Sequence, residues 1–154
     1  MVDAVEGIER VRYTSPHPKD MREDVVRAHA ELPSLCEHIH LPLQAGSSRI
    51  LKAMRRTYDR GRYLDRVAMI RERAPDVSLS TDIIVGFPGE TDAEFEETME
   101  VVEAVRYDSA FTFIFSPRRG TEAAGLEGGV SHEVARERME RLVDAVQRLS
   151  LIHI

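Results

Sequence analysis

Short runs of alternating or β-branched residues take turns with longer segments of helical spacing along this chain, and that alternation constrains the fold more than any other feature. Ile8–Ser15 (IERVRYTS) alternates side chains and is stopped by Pro16 and Pro18, which hold Ser15 and His17 in extended geometry. A helical stretch over Lys19–Glu31 follows, with Met21, Val25, Val26, Ala28 and Ala30 as its apolar stripe, and Leu32-Pro33 ends it. A second strand is expected over Glu37–Leu43. It closes at Gln44-Ala45-Gly46-Ser47-Ser48, where Ser47 or Ser48 can cap the helix SRILKAMRR. Asp59–Arg73 is expected as a longer helix, with Tyr63, Val67 and Ile70 at helical spacing, broken by Ala74-Pro75. The run VSLSTDIIV gives a third strand and stops at Gly86-Phe87-Pro88-Gly89. Thr91 and Glu94 have capping-box spacing for a helix to about Val105, with Phe95, Met99 and Val102 on one stripe. A fourth strand is expected over Asp108–Phe115, and after a Gly-rich loop a last helix over Ser131–Leu149.

Strand and helix alternating through short loops imply parallel strands with the helices outside, so the pattern predicts an α/β fold of about four parallel strands with outer helices. The 154 residues suit one domain and are short for an eight-stranded barrel. No apolar run approaches the roughly eighteen residues of a membrane span, and the first residues lack a signal peptide's layout. The one cysteine, Cys36, excludes an internal disulfide and fits a reducing, cytoplasmic setting. It also excludes a self-sufficient iron–sulfur or Cys-type zinc site. The 27 acidic and 21 basic residues give a net charge of −6, which argues little against nucleic acid, because a local basic face decides.

In parallel α/β folds ligands bind beyond the carboxyl ends of the strands, here TSPHP, LPLQAGS, VGFPGET and FSPRRGT. Strand parity puts Ile39, Leu41 and Leu43 toward the helices, and His38 and His40 on the other face between Cys36 and Gln44. Likewise Leu79, Thr81, Ile83 and Val85 oppose Ser80, Asp82 and Ile84. A polar inner face predicts a lumen for a polar ligand. Cys36, His38 and His40 are read as packing and hydrogen-bonding residues rather than metal ligands, on the expectation that no carboxylate on that face completes a set. GFPGET lacks the Walker lysine and the GxGxxG spacing; it is either a turn whose backbone N–H groups receive an anion or a strand-to-helix turn and nothing more. Arg49, Lys52, Arg55, Arg56, Arg60, Arg62 and Arg66 crowd one stretch, while Glu90–Glu103 is acidic. The basic stretch is read either as a solvated helix face or as a contact for RNA phosphates. No spacing recommends a hydrolase triad.

The segments VRYTSPHPKDM, LCEHIHLPLQAGSSRILKAMRRTYDRGRYL, STDIIVGFPGETDAEFEET and YDSAFTFIFSPRRGTEAA resemble the radical S-adenosylmethionine methylthiotransferases, nearly continuously from Val2 to about Leu149. The resemblance is greatest to the branch that makes 2-methylthio-N6-isopentenyladenosine in tRNA; the ribosomal-protein and threonylcarbamoyl-adenosine branches are the alternatives. A non-catalytic nucleotide- or RNA-binding module is the alternative of another class, and an unrelated phosphate-binding α/β enzyme a third.

The resemblance implies a partial (β/α) barrel of the radical SAM type, of which residues 1–149 would be the C-terminal part, the upstream strands missing. It implies S-adenosylmethionine and [4Fe–4S] clusters as the whole enzyme's cofactors, and tRNA and an electron donor as its partners. The cluster's CxxxCxxC loop is not in this sequence, so the chain by itself is expected to be inactive and to contain no catalytic or metal-ligating residue of the family. Cofactor contacts carried over are Arg12, Thr14, His40, Gln44, Ser47, Ile84 and Gly86, with Phe113 and Phe115 expected in core packing. Arg55, Arg56 and Arg60 are the RNA-binding candidates. Arg55 stands where the family usually has asparagine, and Arg119 where it usually has proline. An open sheet edge is expected at Ile8–Ser15. The closing LSLIHI reads as a translated sequencing adaptor, so residues 150–154 are expected to be a non-native tail.

Overall fold

A computed structural model describes residues 2–13, 17–117, 120 and 125–151. Its elements are α1 (Glu23–Glu31), β1 (His38–His40), α2 (Ser48–Ala53), α3 (Arg60–Arg73), β2 (Ser78–Val85), α4 (Asp92–Val105), β3 (Ser109–Ile114) and α5 (His132–Leu151). The strands form one parallel sheet in the order β1-β2-β3. His38 pairs with Ser78, and Ser80 with Ser109. A further parallel bridge joins Gln44 to Ile83 and carries the β1 side past its last regular residue.

The segment expected as a first strand, Ile8–Ser15, is corrected to a single parallel bridge from Val11 to Leu35, with Thr14 and Ser15 outside the described residues. Val11 N–H donates to the Ser34 carbonyl at 2.7 Å and its carbonyl accepts from Cys36 N–H at 3.0 Å. Glu9, Arg10, Arg12 and Tyr13 are all exposed, so alternation here earns no buried face to stabilise a longer ladder. The helix expected from Lys19 is also shorter. Pro18–Asp20 makes a 3-10 turn, and Met21 leaves helical geometry (ψ 83°) to bury its side chain completely before α1 begins.

The outward sheet face forms the core, as parity predicts: Ile39, Leu41, Leu43, Leu79, Ile83 and Val85 are at most 1% exposed and meet Tyr63, Ile70, Phe95, Val102 and Leu142 from the helices. Two buried tyrosines satisfy each other there, Tyr63 donating to the Leu41 carbonyl at 2.8 Å and lying 2.8 Å from the Tyr107 hydroxyl. Thr91 and Glu94 form the expected capping box, and Ser47 and Asp59 cap α2 and α3. The charge segregation of the sequence becomes pairing in space. Arg49 and Arg60 reach Glu94 and Glu100 of α4 from one side, while Arg141 and Arg148 of α5 reach Glu96 and Glu103 from the other. α5 runs beyond the expected end at Leu149, and the Ser150 hydroxyl donates to the Asp108 carbonyl at 2.9 Å. The remainder of the expected tail, 152–154, lies outside the described residues. No helix among the described residues is long and apolar enough to cross a membrane.

Candidate functional site

The inward face of the sheet carries the polar groups that parity placed there. One hydroxyl, Ser80 Oγ, lies 2.8 Å from His38 Nε2 and 2.8 Å from His40 Nδ1. The far nitrogen of His40 is 3.3 Å from Oδ1 of Asp82, the carboxylate that parity placed on this face, and among the described residues no group of three or more such side chains is arranged to hold a metal. Burial pushes the His38 imidazolium toward its neutral form, and Arg12 and His40 push the same way against Asp108. Arg12, itself exposed, is thereby placed beside this face. Beyond the histidines the surface turns apolar: Asp82 pairs in register with Phe111 and Ile84 with Phe113. Phe111 is 60% and Phe113 51% exposed, which corrects the expectation that Phe113 packs in the core; Phe115 does pack, edge-on to Phe87 at 5.1 Å between ring centres. A half-polar, half-aromatic wall suits a ligand with a charged and a planar part.

At the carboxyl end of β1 the chain is held in an unusual shape. Gln44 has φ 69°, a left-handed geometry that a non-glycine residue adopts only under constraint. Its N–H donates to Asp82 O and its carbonyl accepts from Ile84 N–H, each at 2.8 Å. The Tyr58 hydroxyl braces the same turn at the Pro42 and Leu43 carbonyls, 3.0 and 3.1 Å away. Gly46 then passes so close to α4 that a Cβ would lie 2.4 Å from the Glu97 carbonyl oxygen. Ser47 is buried behind this turn; its hydroxyl accepts from Ile50 N–H and donates to Glu94 Oε1 at 3.1 Å. That hydroxyl is engaged in the fold rather than presented at the inner face.

The turn after β2 answers the question left open for GFPGET. Gly86 N–H donates to Glu90 Oε2 at 2.8 Å, Gly89 N–H to the Gly128 carbonyl at 2.7 Å, and Glu90 N–H to the Phe87 carbonyl at 2.9 Å. The loop therefore satisfies these N–H groups itself, Gly86 through the Glu90 carboxylate and the other two through backbone carbonyls, rather than leaving them for a bound anion. Glu90 is buried against Arg138, whose guanidinium donates to Glu90 Oε2 at 2.7 Å and to Asp92 Oδ1 at 2.6 Å. Burial pushes the Glu90 carboxyl above its usual range, while Gly86 and Arg138 pull it down. Arg138 Nε is buried without a partner, so the network is held at some cost. Gly86, at φ 73°, admits no side chain, since a Cβ would approach Ala135 Cβ to 2.9 Å. It opens onto a cavity of about 260 Å³ bounded by Pro88, Ile114, Phe115 and Val130.

The structure thus brings His40, Gln44 and Ile84 together along β1 and β2, with Arg12 at the side and Gly86 at the far strand end. Thr14 and Arg119 lie outside the described residues. Of the RNA candidates, Arg60 is tied to Glu97 and Glu100 at 3.9 and 2.8 Å, Arg55 is exposed on a left-handed turn (φ 58°), and Arg56 is half-buried. Sequence reasoning missed Ser80 as the hydroxyl between two histidines, and Glu90 with Arg138; the signal for the first was its register opposite His40. A [4Fe–4S] cluster does not fit this chain. Cys36 is its one cysteine, and the described residues hold no cluster of three or more His, Cys, Asp or Glu arranged for a metal.

Comparison with known proteins follows the same lines. The profile of the Radical SAM superfamily matches residues 2–102. A tRNA-2-methylthio-N(6)-dimethylallyladenosine synthase of Clostridium botulinum is 55% identical over 149 residues, covering 97% of this chain and 33% of that protein. The protein of the same name from Saccharopolyspora erythraea is 53% identical over 146 residues, 95% of this chain and 30% of its own length. The chain thus spans about a third of the length of these relatives. Among solved structures, coproporphyrinogen III oxidase (HemN) of Escherichia coli, described as a radical SAM enzyme, superposes with a TM-score of 0.71 at 16% identity, over 88% of this chain and 31% of that one. That likeness confirms the partial-barrel fold.

Proposed function

Because the chain belongs to the radical SAM superfamily, we propose that it is part of the catalytic barrel of a tRNA methylthiotransferase acting on N6-isopentenyladenosine. The observation that carries this is the 55% identity over 149 residues to a tRNA-2-methylthio-N(6)-dimethylallyladenosine synthase. In this reading residues 1–149 are the C-terminal part of the barrel and 150–154 a non-native tail. The polar and aromatic inner face takes S-adenosylmethionine, which supplies the radical and methyl chemistry when bound. His40, Gln44 and Ile84, with Arg12, Thr14 and Gly86, are the proposed contacts, and Ser47 acts through the α2 cap that fixes Gln44 from behind. The left-handed Gln44 supports this, since such geometry collects at ligand sites. Substrate tRNA, an electron donor and a cytoplasmic setting belong to the same reading. Cys36 alone cannot ligate a cluster, so the chain by itself performs no radical step.

The test is transplantation. Residues 2–149 replace the matching third of the Clostridium botulinum relative, and tRNA from a host lacking the activity is analysed for 2-methylthio nucleoside by mass spectrometry. Restored product is expected. A folded, cluster-loaded chimera that leaves the tRNA unmodified would overturn the proposal.

A further inference from the structure

Many arginines among the described residues pair with carboxylates, whereas the cations of one groove do so weakly or not at all. Between the 3-10 turn at Pro18–Asp20 and the start of α3 lies a groove of about 310 Å³, lined by Lys19, Tyr58, Arg62, Asp65 and Arg66. Among the described residues, neither Lys19 nor Arg66 forms an ion pair, and Arg62 has only a distant one with Asp59, at 3.9 Å. Arg56 stands close by, where its charge acts on both His17 and Tyr58. The wall is fixed rather than loose. Tyr58 is 6% exposed, its hydroxyl donates to the carbonyls at the end of β1, and the His17 ring packs edge-on against it at 5.3 Å. Through the Tyr58 hydroxyl the groove wall is tied to the Pro42 and Leu43 carbonyls, just ahead of Gln44 in the chain.

We propose that this groove seats the phosphodiester backbone of the RNA substrate, with Lys19, Arg62 and Arg66 as the phosphate contacts and Arg56 adding field. The proposal rests on the tRNA reading above and moves the RNA contact away from Arg60, whose charge is spent on α4. Three cations in one concavity, on a chain of net charge −6, make a local field opposite in sign to the whole. Phosphate contacts of this kind position the nucleic acid without reading its bases. Asp65 is the carboxylate of the groove and opposes binding.

Binding of a labelled anticodon stem-loop RNA to the 154-residue chain is measured by fluorescence anisotropy over a salt series. The triple variant Lys19→Glu, Arg62→Glu, Arg66→Glu is expected to bind at least about tenfold more weakly, with a salt slope smaller by about 2, from roughly 0.7 per phosphate contact. Asp65→Asn is expected to tighten binding, a change that misfolding cannot imitate. Arg136→Glu on the far helix α5 is expected to leave binding unchanged. Wild-type affinity in the triple variant, an unmoved Asp65→Asn, or no RNA binding by the chain at low salt would overturn the groove. The two proposals fail separately: a chimera that methylthiolates tRNA equally with the triple variant sinks the groove alone, whereas an inactive chimera whose chain still loses RNA on reversal sinks the methylthiotransferase reading alone.

Discussion

Arg55, where the resemblance leads one to expect asparagine, sits in a backbone geometry that favours such a residue. It follows α2 at φ 58°; its N–H donates to the Lys52 carbonyl, and the next N–H, of Arg56, reaches back to Leu51. That is a Schellman ending, whose left-handed position favours glycine and tolerates asparagine, the residue expected there by resemblance. Arg55→Asn is therefore expected to raise stability by about 1 kcal/mol, read as a shift in urea midpoint at unchanged slope; a lower midpoint would contradict this account. At this scale the sequence was legible wherever a residue type has one geometric use. Thr91 was readable as a cap and Ser47 or Ser48 as another, and the sidedness of His38 and His40 followed from period two. It was not legible where the role depends on a partner far along the chain. Ser80 reads as an ordinary strand serine until register sets it between two imidazoles, and Glu90 reads as a loop acid until Arg138, 48 residues on, is seen against it.

Between elements, the tie that matters most for the loop after β1 is Arg49 to Glu94. The Arg49 guanidinium, then the Thr91 N–H and hydroxyl and the Ser47 hydroxyl, hold the Glu94 carboxyl at about 2, against an ordinary 4.5 and against the opposing effect of burial. A carboxyl depressed in the folded state stabilises the fold above its unfolded value, and that contribution is lost as pH falls from about 4.5 toward 2. Glu90, held upward by burial, acts with the opposite sign, its contribution fading as pH rises through its folded value. Glu94→Gln should therefore flatten the acid limb of a stability-versus-pH curve from denaturant titrations while leaving the Glu90 contribution in place. An acid limb of unchanged slope would refute the assignment. Element order and boundaries were legible because capping chemistry and prolines mark them. Ile8–Ser15 failed because alternation alone does not make a strand when neither face is buried.

At the scale of the whole molecule, the inward face leaves Phe111 and Phe113 in solvent beside a histidine ring, with Phe111 edge-on to His40 at 6.0 Å between ring centres. Adjacent exposed aromatics on a sheet promote association. The isolated chain is expected to self-associate in sedimentation velocity at micromolar concentration, and Phe111→Ser with Phe113→Ser to shift it toward monomer; a wild-type monomer throughout would contradict this. The parallel sheet has a further consequence, in time rather than space. His38 meets Ser78 and Ser80 meets Ser109, so each ladder closes across about forty or about thirty residues that must first become a helical layer. No strand here can find its neighbour through a tight hairpin. Assembly is paced by these long closures, and the aromatic face stays uncovered for as long as they take.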